Sequence, residues 1–201
     1  MKGLKKQEAV LLGLLSVLAK EVLRTNLVKM IYLLDNLSFE QRGKELTDFA
    51  YHWDYHGPNA VGNAITVELA HLSEKGLVQD TQKLTPYENY ANYYRIGETV
   101  DPSELPLSSE EWVLIHSIAK RYGSTNRPRI VSESKKTLPM QGAKQFEILK
   151  FQPNPKVEAL RKSFFADSDF VCMTSGVISS SAEKINLDEL RDQVAQPANV
   201  R

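Results

Sequence analysis

With 201 residues, of which 42% are hydrophobic, the chain is long enough to bury a core of its own, and one domain with an appendage is the expected size class. Its 25 Lys and Arg balance 25 Asp and Glu, so it lacks the basic excess expected of a free-standing nucleic-acid binder. Its single cysteine, Cys172, excludes an internal disulfide and a cysteine-built zinc site.

The longest apolar run, Ala9 to Ala19, is interrupted by Gly13 and Ser16 and is too short to span a bilayer. Lys20, Glu21 and Arg24 follow it without a small-residue cleavage pattern. The run is therefore expected to be a core helix rather than a signal peptide, in a reducing, cytoplasmic location. The spacing predicts a first helix over 4–23, with Leu11, Leu14, Leu15, Leu18 and Val22 as a wide stripe. Thr25 or Asn26 is expected to cap a second helix whose inner face is Leu27, Met30, Ile31, Leu34 and Leu37. Lys29, Tyr32 and Asp35 lie three apart on the neighbouring stripe, where they could form a buried polar network. Gly43 is expected to end the following loop.

From Phe49 the pattern changes to period two. Phe49, Tyr51, Trp53 and Tyr55 point one way, and Ala50, His52, Asp54 and His56 the other, as in a half-buried strand. The aromatic stripe Tyr51, Trp53 and Tyr55 is expected in the core. Gly57–Pro58 is expected to stop the strand in a tight turn. Asn59 is then placed to cap a helix carrying Val61, Ala64, Ile65, Leu69 and Leu72 on one face, closed by Gly76 as a left-handed cap.

Leu77 to Leu84 and Tyr93 to Ile96 read as two strands, separated by Pro86 and a polar turn. Three helices followed by a hairpin predict an α+β, mostly helical fold: a winged-helix-like helical core with a small antiparallel sheet. Ser108 or Ser109 is expected to cap a further helix with Glu110 and Glu111 in its first turn and with Trp112, Ile115, Ile118 and Ala119 facing inward, ended by Gly123. Arg129 to Lys136 reads as another helix stopped near Pro139, and Ala143 to Lys150 as a short helix or a strand. Pro153 and Pro155 mark a boundary, giving a domain over 1–152 and a partly flexible C-terminal extension over 153–201. In the extension, Ser175 to Ser181 reads as a hinge, and Asn186 with Glu189 as a capping pair for a last helix.

Three constellations carry chemistry worth weighing. His52, Asp54 and His56 alternate on one strand and could hold a divalent metal, but no fourth ligand is evident, His71 lying on the next helix; a solvated strand face is the favoured reading and no metal is expected. Cys172 lacks a nucleophile motif and an evident histidine partner, and reads as a packing cysteine. Lys120, Arg121, Arg127, Arg129, Lys135 and Lys136 form the strongest local charge imbalance, with Glu133 as the one acid among the last of them. They are candidates to touch DNA phosphates or an acidic protein surface, against the plainer reading of a solvated helix end. No phosphate-loop, Gly-x-Ser-x-Gly or His-Glu-x-x-His motif is present, so an enzyme is not expected and no cofactor is implied.

Four segments carry a resemblance. Lys29-Met-Ile-Tyr32-Leu-Leu-Asp35, Gly43-Lys-Glu-Leu-Thr47, Trp53-Asp-Tyr55-His-Gly57-Pro58 and Leu69…Leu72…Gly76-Leu77 resemble, in order and spacing, the motifs of the Panacea-domain proteins, the SocA-like antitoxins. The resemblance covers residues 8–150. His56 stands where an aromatic is more usual, and Asn59 where a small apolar residue or serine is common. The resemblance implies a small intracellular domain that binds a cognate protein toxin, typically the adjacent gene product. It neutralises that toxin directly or by delivering it to a protease. It implies no catalytic residues. The extension over 153–201 has no counterpart, and is a candidate partner-binding or dimer-forming tail. The alternative reading is a winged-helix transcriptional regulator that binds its own operator DNA through the basic cluster.

Overall fold

The computed structural model describes residues 3–85, 89–153 and 155. These lie in the first of the two units into which the chain divides, Met1–Lys162. Cys172, the serine-rich hinge, the Asn186–Glu189 capping pair and the docking tail lie outside the described residues.

Helix α1 (Lys6–Leu18) is buried on nearly every side from Glu8 to Leu15 and packs against α3 (Ala64–Glu74), α4 (Ser109–Tyr122) and strand β5 (Tyr90–Ile96). A helix that apolar all round can only sit inside. Gly13 lets the chain around α4 pack close against α1, since a Cβ there would meet Leu107 Cδ1 at 2.8 Å and Ile115 Cδ1 at 3.2 Å. The helix is shorter than the period predicted. It stops at Ala19 in a left-handed cap, and Val22–Leu23 form a two-residue strand, β1, on the edge of β5.

Helix α2 (Arg24–Arg42) is preceded by Leu23 at the capping position, so neither Thr25 nor Asn26 caps it; both lie within its first turn. It runs on to a C-terminal cap at Gly43, which therefore closes the helix rather than a loop. Strand β4 (Val78–Leu84) pairs antiparallel with β5, giving a sheet ordered β1-β5-β4. The fold is thus a mixture of helices with small antiparallel sheets.

The largest departure is at Gly57–Pro58. The strand does not end there. Strand β2 (Tyr51–Asp54) turns through Tyr55–His56, and Gly57–Ala60 returns beside it as β3. Proline is tolerated because it faces a position that needs no ladder bond. Trp53, opposite Pro58, spends its N–H on the Glu147 carbonyl (3.0 Å) and its carbonyl on the Phe146 N–H (2.6 Å), both on the other edge of β2. Residues 146–149 so form a third run beside β2, with Leu149 N–H donating to the Tyr51 carbonyl at 2.8 Å. Asn59 lies inside β3, and α3 begins after a short 3-10 turn, Val61–Asn63, with Asn63 rather than Asn59 at its capping position.

Helix α4 starts as its capping box dictates: Ser108 Oγ accepts from Glu111 N–H at 3.3 Å and Glu111 Oε2 accepts from Ser108 N–H at 2.9 Å. Trp112 is only partly buried; Leu114 and Tyr122 take inward positions instead. Helix α5 (Arg127–Lys135) is capped by Asn126, and Pro139 sits in the first turn of α6 (Leu138–Gly142) rather than terminating α5. None of the helices among the described residues is long and apolar enough to cross a membrane.

Candidate functional site: a buried polar lock beneath an exposed hairpin

The three residues spaced along α2 are all buried, and each fastens a different piece of chain. Asp35 has no exposure at all. Its Oδ1 accepts from the N–H groups of Leu46 (2.9 Å) and Thr47 (2.7 Å), and its Oδ2 from the hydroxyls of Thr47 and Tyr51, each at 2.5 Å. One carboxylate thereby fixes both the loop after Gly43 and the start of β2. Burial pushes its pKa up to about 6, against the opposing pull of these bonds from Thr47, Tyr51 and Leu46. Burial, together with the facing Asp35, also holds the Tyr51 hydroxyl well above the ordinary phenol range.

Tyr32 fastens the other side. Its hydroxyl lies 2.5 Å from Thr137 Oγ1, and Thr137 in turn donates to the Ser134 carbonyl at 2.9 Å, which leaves Tyr32 as the donor of the first bond. This couples α2 to the α5–α6 junction. The Tyr32 ring meets Tyr51 edge-on at 5.1 Å and stacks on Phe151 at 5.8 Å, and Phe151 also stacks on Phe39 at 5.8 Å. Burial raises the Tyr32 pKa to about 12.

Lys29, 3% exposed, donates to the Pro58 carbonyl. The same register that spares Pro58 an N–H leaves its carbonyl without a ladder partner on β2, and the ammonium supplies one. Burial lowers the Lys29 pKa to about 8; Asp54 opposes the shift, while Lys135 and Arg127 add to it.

Above this lock stands the β2–β3 hairpin. Phe49, Tyr51 and Trp53 do turn inward, but Tyr55 does not. It falls in the turn after β2 has ended and is 68% exposed, its ring edge-on to Phe146 at 5.2 Å. Phe146 is itself 58% exposed and has φ 67°, a left-handed backbone that bulky residues avoid. Two residues, Phe146 and Glu147, stand opposite Trp53, so this is a β-bulge with an aromatic at the position glycine usually fills. Gly57, at φ 89°, begins β3 so close to α5 that a Cβ would lie 3.3 Å from Ser134 Oγ. Gly76, at φ 69°, closes α3 as the period predicts, with Leu77 N–H reaching back to the Leu72 carbonyl at 2.9 Å.

The other constellations are not brought together as their spacing alone would allow. His52 and Asp54 are half-buried on β2, whereas His56 sits exposed in the turn. Among the described residues no group of three or more His, Cys, Asp or Glu side chains is arranged to hold a metal. The basic cluster is not one patch. Arg121 and Lys136 face Glu133, at 3.9 and 2.7 Å, around one cavity, while Arg127 lines a different one with Arg24. Arg129, Lys135 and Lys120 are exposed to solvent. Periodicity did not reveal Thr137 and Ser134 beside Tyr32, nor that Arg24 and Arg127 line one cavity; each is distant in sequence and carried no local signal.

A family model described as the antitoxin SocA-like Panacea domain matches residues 27–138, from the first turns of α2 to the start of α6. No curated protein and no solved structure matches the chain. The matched span covers more than half of the chain and contains Lys29, Tyr32, Asp35, Gly57, Pro58 and Gly76 in their observed structural roles. The chain belongs to the SocA-like antitoxin family, as a Panacea-domain protein.

Proposed function

We propose that this protein is the antitoxin of a toxin–antitoxin pair and neutralises its toxin by direct binding, with no catalytic step of its own. Family membership supports the antitoxin role. The observation that carries direct docking is the ring pair Tyr55 and Phe146, exposed at the end of a hairpin whose base is fastened by Lys29 and Asp35. Exposed aromatics on a rigid mount are what hot spots of protein interfaces are built from, and strained backbone is retained where function needs it. The partner is the protein encoded beside it, met in the cytoplasm. Delivery to a protease is compatible with the same contact, and so is self-association. The test is co-expression with the neighbouring gene product: growth is restored by the wild-type chain and not by the Tyr55→Ala/Phe146→Gly variant. Failure of the wild-type chain to form a complex or restore growth overturns the reading.

A second reading, a winged-helix regulator bound to operator DNA, draws support from the three helices α1, α2 and α3, the last followed by the β4–β5 hairpin, and from the sheet order β1-β5-β4, although the β2–β3 hairpin interrupts the series between α2 and α3. Its weakness is electrostatic. Helix α3, which this reading would send into the major groove, carries Glu68 and Glu74 and no Lys or Arg. On the β4–β5 hairpin, Lys83 is engaged by Glu21, and Arg95 by Gln79 and Glu98. A mobility shift with its own promoter that is weakened by salt and by Arg127→Ala/Arg129→Ala would favour this reading over pure protein docking.

A further inference from the structure

Beside the first turn of α2 lies a polar cavity of about 140 Å³ whose lining has an unusual charge balance. Arg24 and Thr25 from that turn, Lys29 one turn further on, and Arg127 from the start of α5 converge there with Asp54 and His56 from the hairpin. Three of these groups are permanent or near-permanent cations, and one is an acid. Lys29 is the telling member. It is 3% exposed, yet its one hydrogen-bond partner is the neutral Pro58 carbonyl, and neither it nor Arg24 nor Arg127 forms an ion pair among the described residues. Asp54, which accepts from Tyr55 N–H at 2.6 Å and faces Asn59 Nδ2 at 3.4 Å, offsets part of the field at Lys29 but is one acid against three cations. A buried cation is retained at a cost unless something negative compensates it.

The neighbouring helix end adds to the same field. The capping position of α2 is Leu23, which has no side-chain acceptor, and the first turn contains no acid. A 19-residue helix thus brings its positive end to the cavity without the carboxylate that usually answers it. Arginine forks and backbone N–H groups together suit a tetrahedral oxyanion better than a planar carboxylate, because donors approach from several directions. The net charge of the lining calls for a dianion.

We propose that this cavity is a phosphate-binding site, in which Arg24, Lys29 and Arg127 hold inorganic phosphate or the terminal phosphate of a phosphomonoester against the first turn of α2. Arg24 precedes the span that the family model matches, so the site draws on a residue outside the family's matched segment. The proposal is independent of toxin binding.

The experiment is calorimetric titration of the full chain with inorganic phosphate in a phosphate-free buffer, alongside sodium acetate at equal ionic strength and a nucleoside monophosphate. Arg24→Ala and Arg127→Ala are the test variants; both residues are exposed, and thermal unfolding of each variant checks that the fold is retained. Arg129→Ala, on the same helix but outside the lining, is the control. Saturable phosphate binding at millimolar concentration or below is expected, weakened about tenfold or more by either test variant and left unchanged by the control, as loss of a charge-assisted bond requires. Tighter binding of the nucleoside monophosphate than of phosphate assigns the site to a larger ligand, and weaker binding assigns it to the free ion; both support the site. Absence of phosphate binding, equal binding of acetate, or an equal loss in Arg129→Ala would overturn it.

Discussion

Tyr51 donates its hydroxyl to Asp35 Oδ2 at 2.5 Å, and this bond joins the middle of α2 to the first residue of β2. Everything mounted on the hairpin depends on that junction. Asp35→Ala leaves four buried donors, on Leu46, Thr47 and Tyr51, with no acceptor, and is expected to cost about 3 kcal/mol or more in urea unfolding. Asp35→Asn keeps one acceptor oxygen and lets the hydroxyls reorient, so a loss of about 1–2 kcal/mol is expected.

The same carboxyl makes stability depend on pH in an unusual direction. Its folded pKa, about 6, lies above its ordinary value of 3.8, so the folded state holds the proton more tightly than the unfolded chain. The contribution is fully present below about pH 4 and is lost as pH rises through 6. Relative to Asp35→Asn, the wild-type chain is expected to lose on the order of 1–3 kcal/mol between pH 4 and 7. Parallel unfolding curves across that window would count against a carboxyl whose burial outweighs its hydrogen bonds.

Lys29 acts in the other pH range. Its folded pKa of about 8 lies below the ordinary 10.5, so the unfolded chain binds the proton more tightly. Stability from this group rises as pH climbs from 8 to beyond 10, and Lys29→Met is expected to abolish that rise. Saturating phosphate, by restoring charge compensation, is expected to reduce it.

Gly57 and Gly76 both hold left-handed backbone, but only Gly57 is also crowded. Gly76→Ala is expected to cost about 1–2 kcal/mol from backbone alone. Gly57→Ala is expected to cost more, because its Cβ would also crowd Ser134 Oγ at 3.3 Å. Thermal unfolding of the pair separates the two terms.

The elements that were legible in the sequence are those set by local chemistry. The α4 capping box, the Gly76 cap, the β4–β5 hairpin and the inward alternation of Phe49, Tyr51 and Trp53 each follow from neighbouring residues. Two of the departures share a cause: tertiary hydrogen bonding overrode a local rule. Gly57–Pro58 reads as a strand breaker, yet it starts β3 because residues 146–147 engage Trp53 on the far edge. Ala19 ends α1 early because Val22–Leu23 pair with β5. Tyr55 belongs to the aromatic alternation but falls one residue past the strand, and so is exposed. Of the candidate site, the spacing of Lys29, Tyr32 and Asp35 marked a common stripe; that each secures a separate segment rests on partners no periodicity could name.

Whether the Tyr55–Phe146 pair is a docking surface is decided by the affinity of the purified wild-type chain and of Tyr55→Ala/Phe146→Gly for the adjacent gene product. Phe146→Gly relieves the left-handed strain while losing one exposed ring contact, so folding stability should change by no more than about 1 kcal/mol. Binding should fall about 30-fold or more, as expected of interface hot spots, with an unchanged circular dichroism spectrum. An affinity equal to that of the wild-type chain would contradict the assignment of the hairpin tip as the toxin-facing surface.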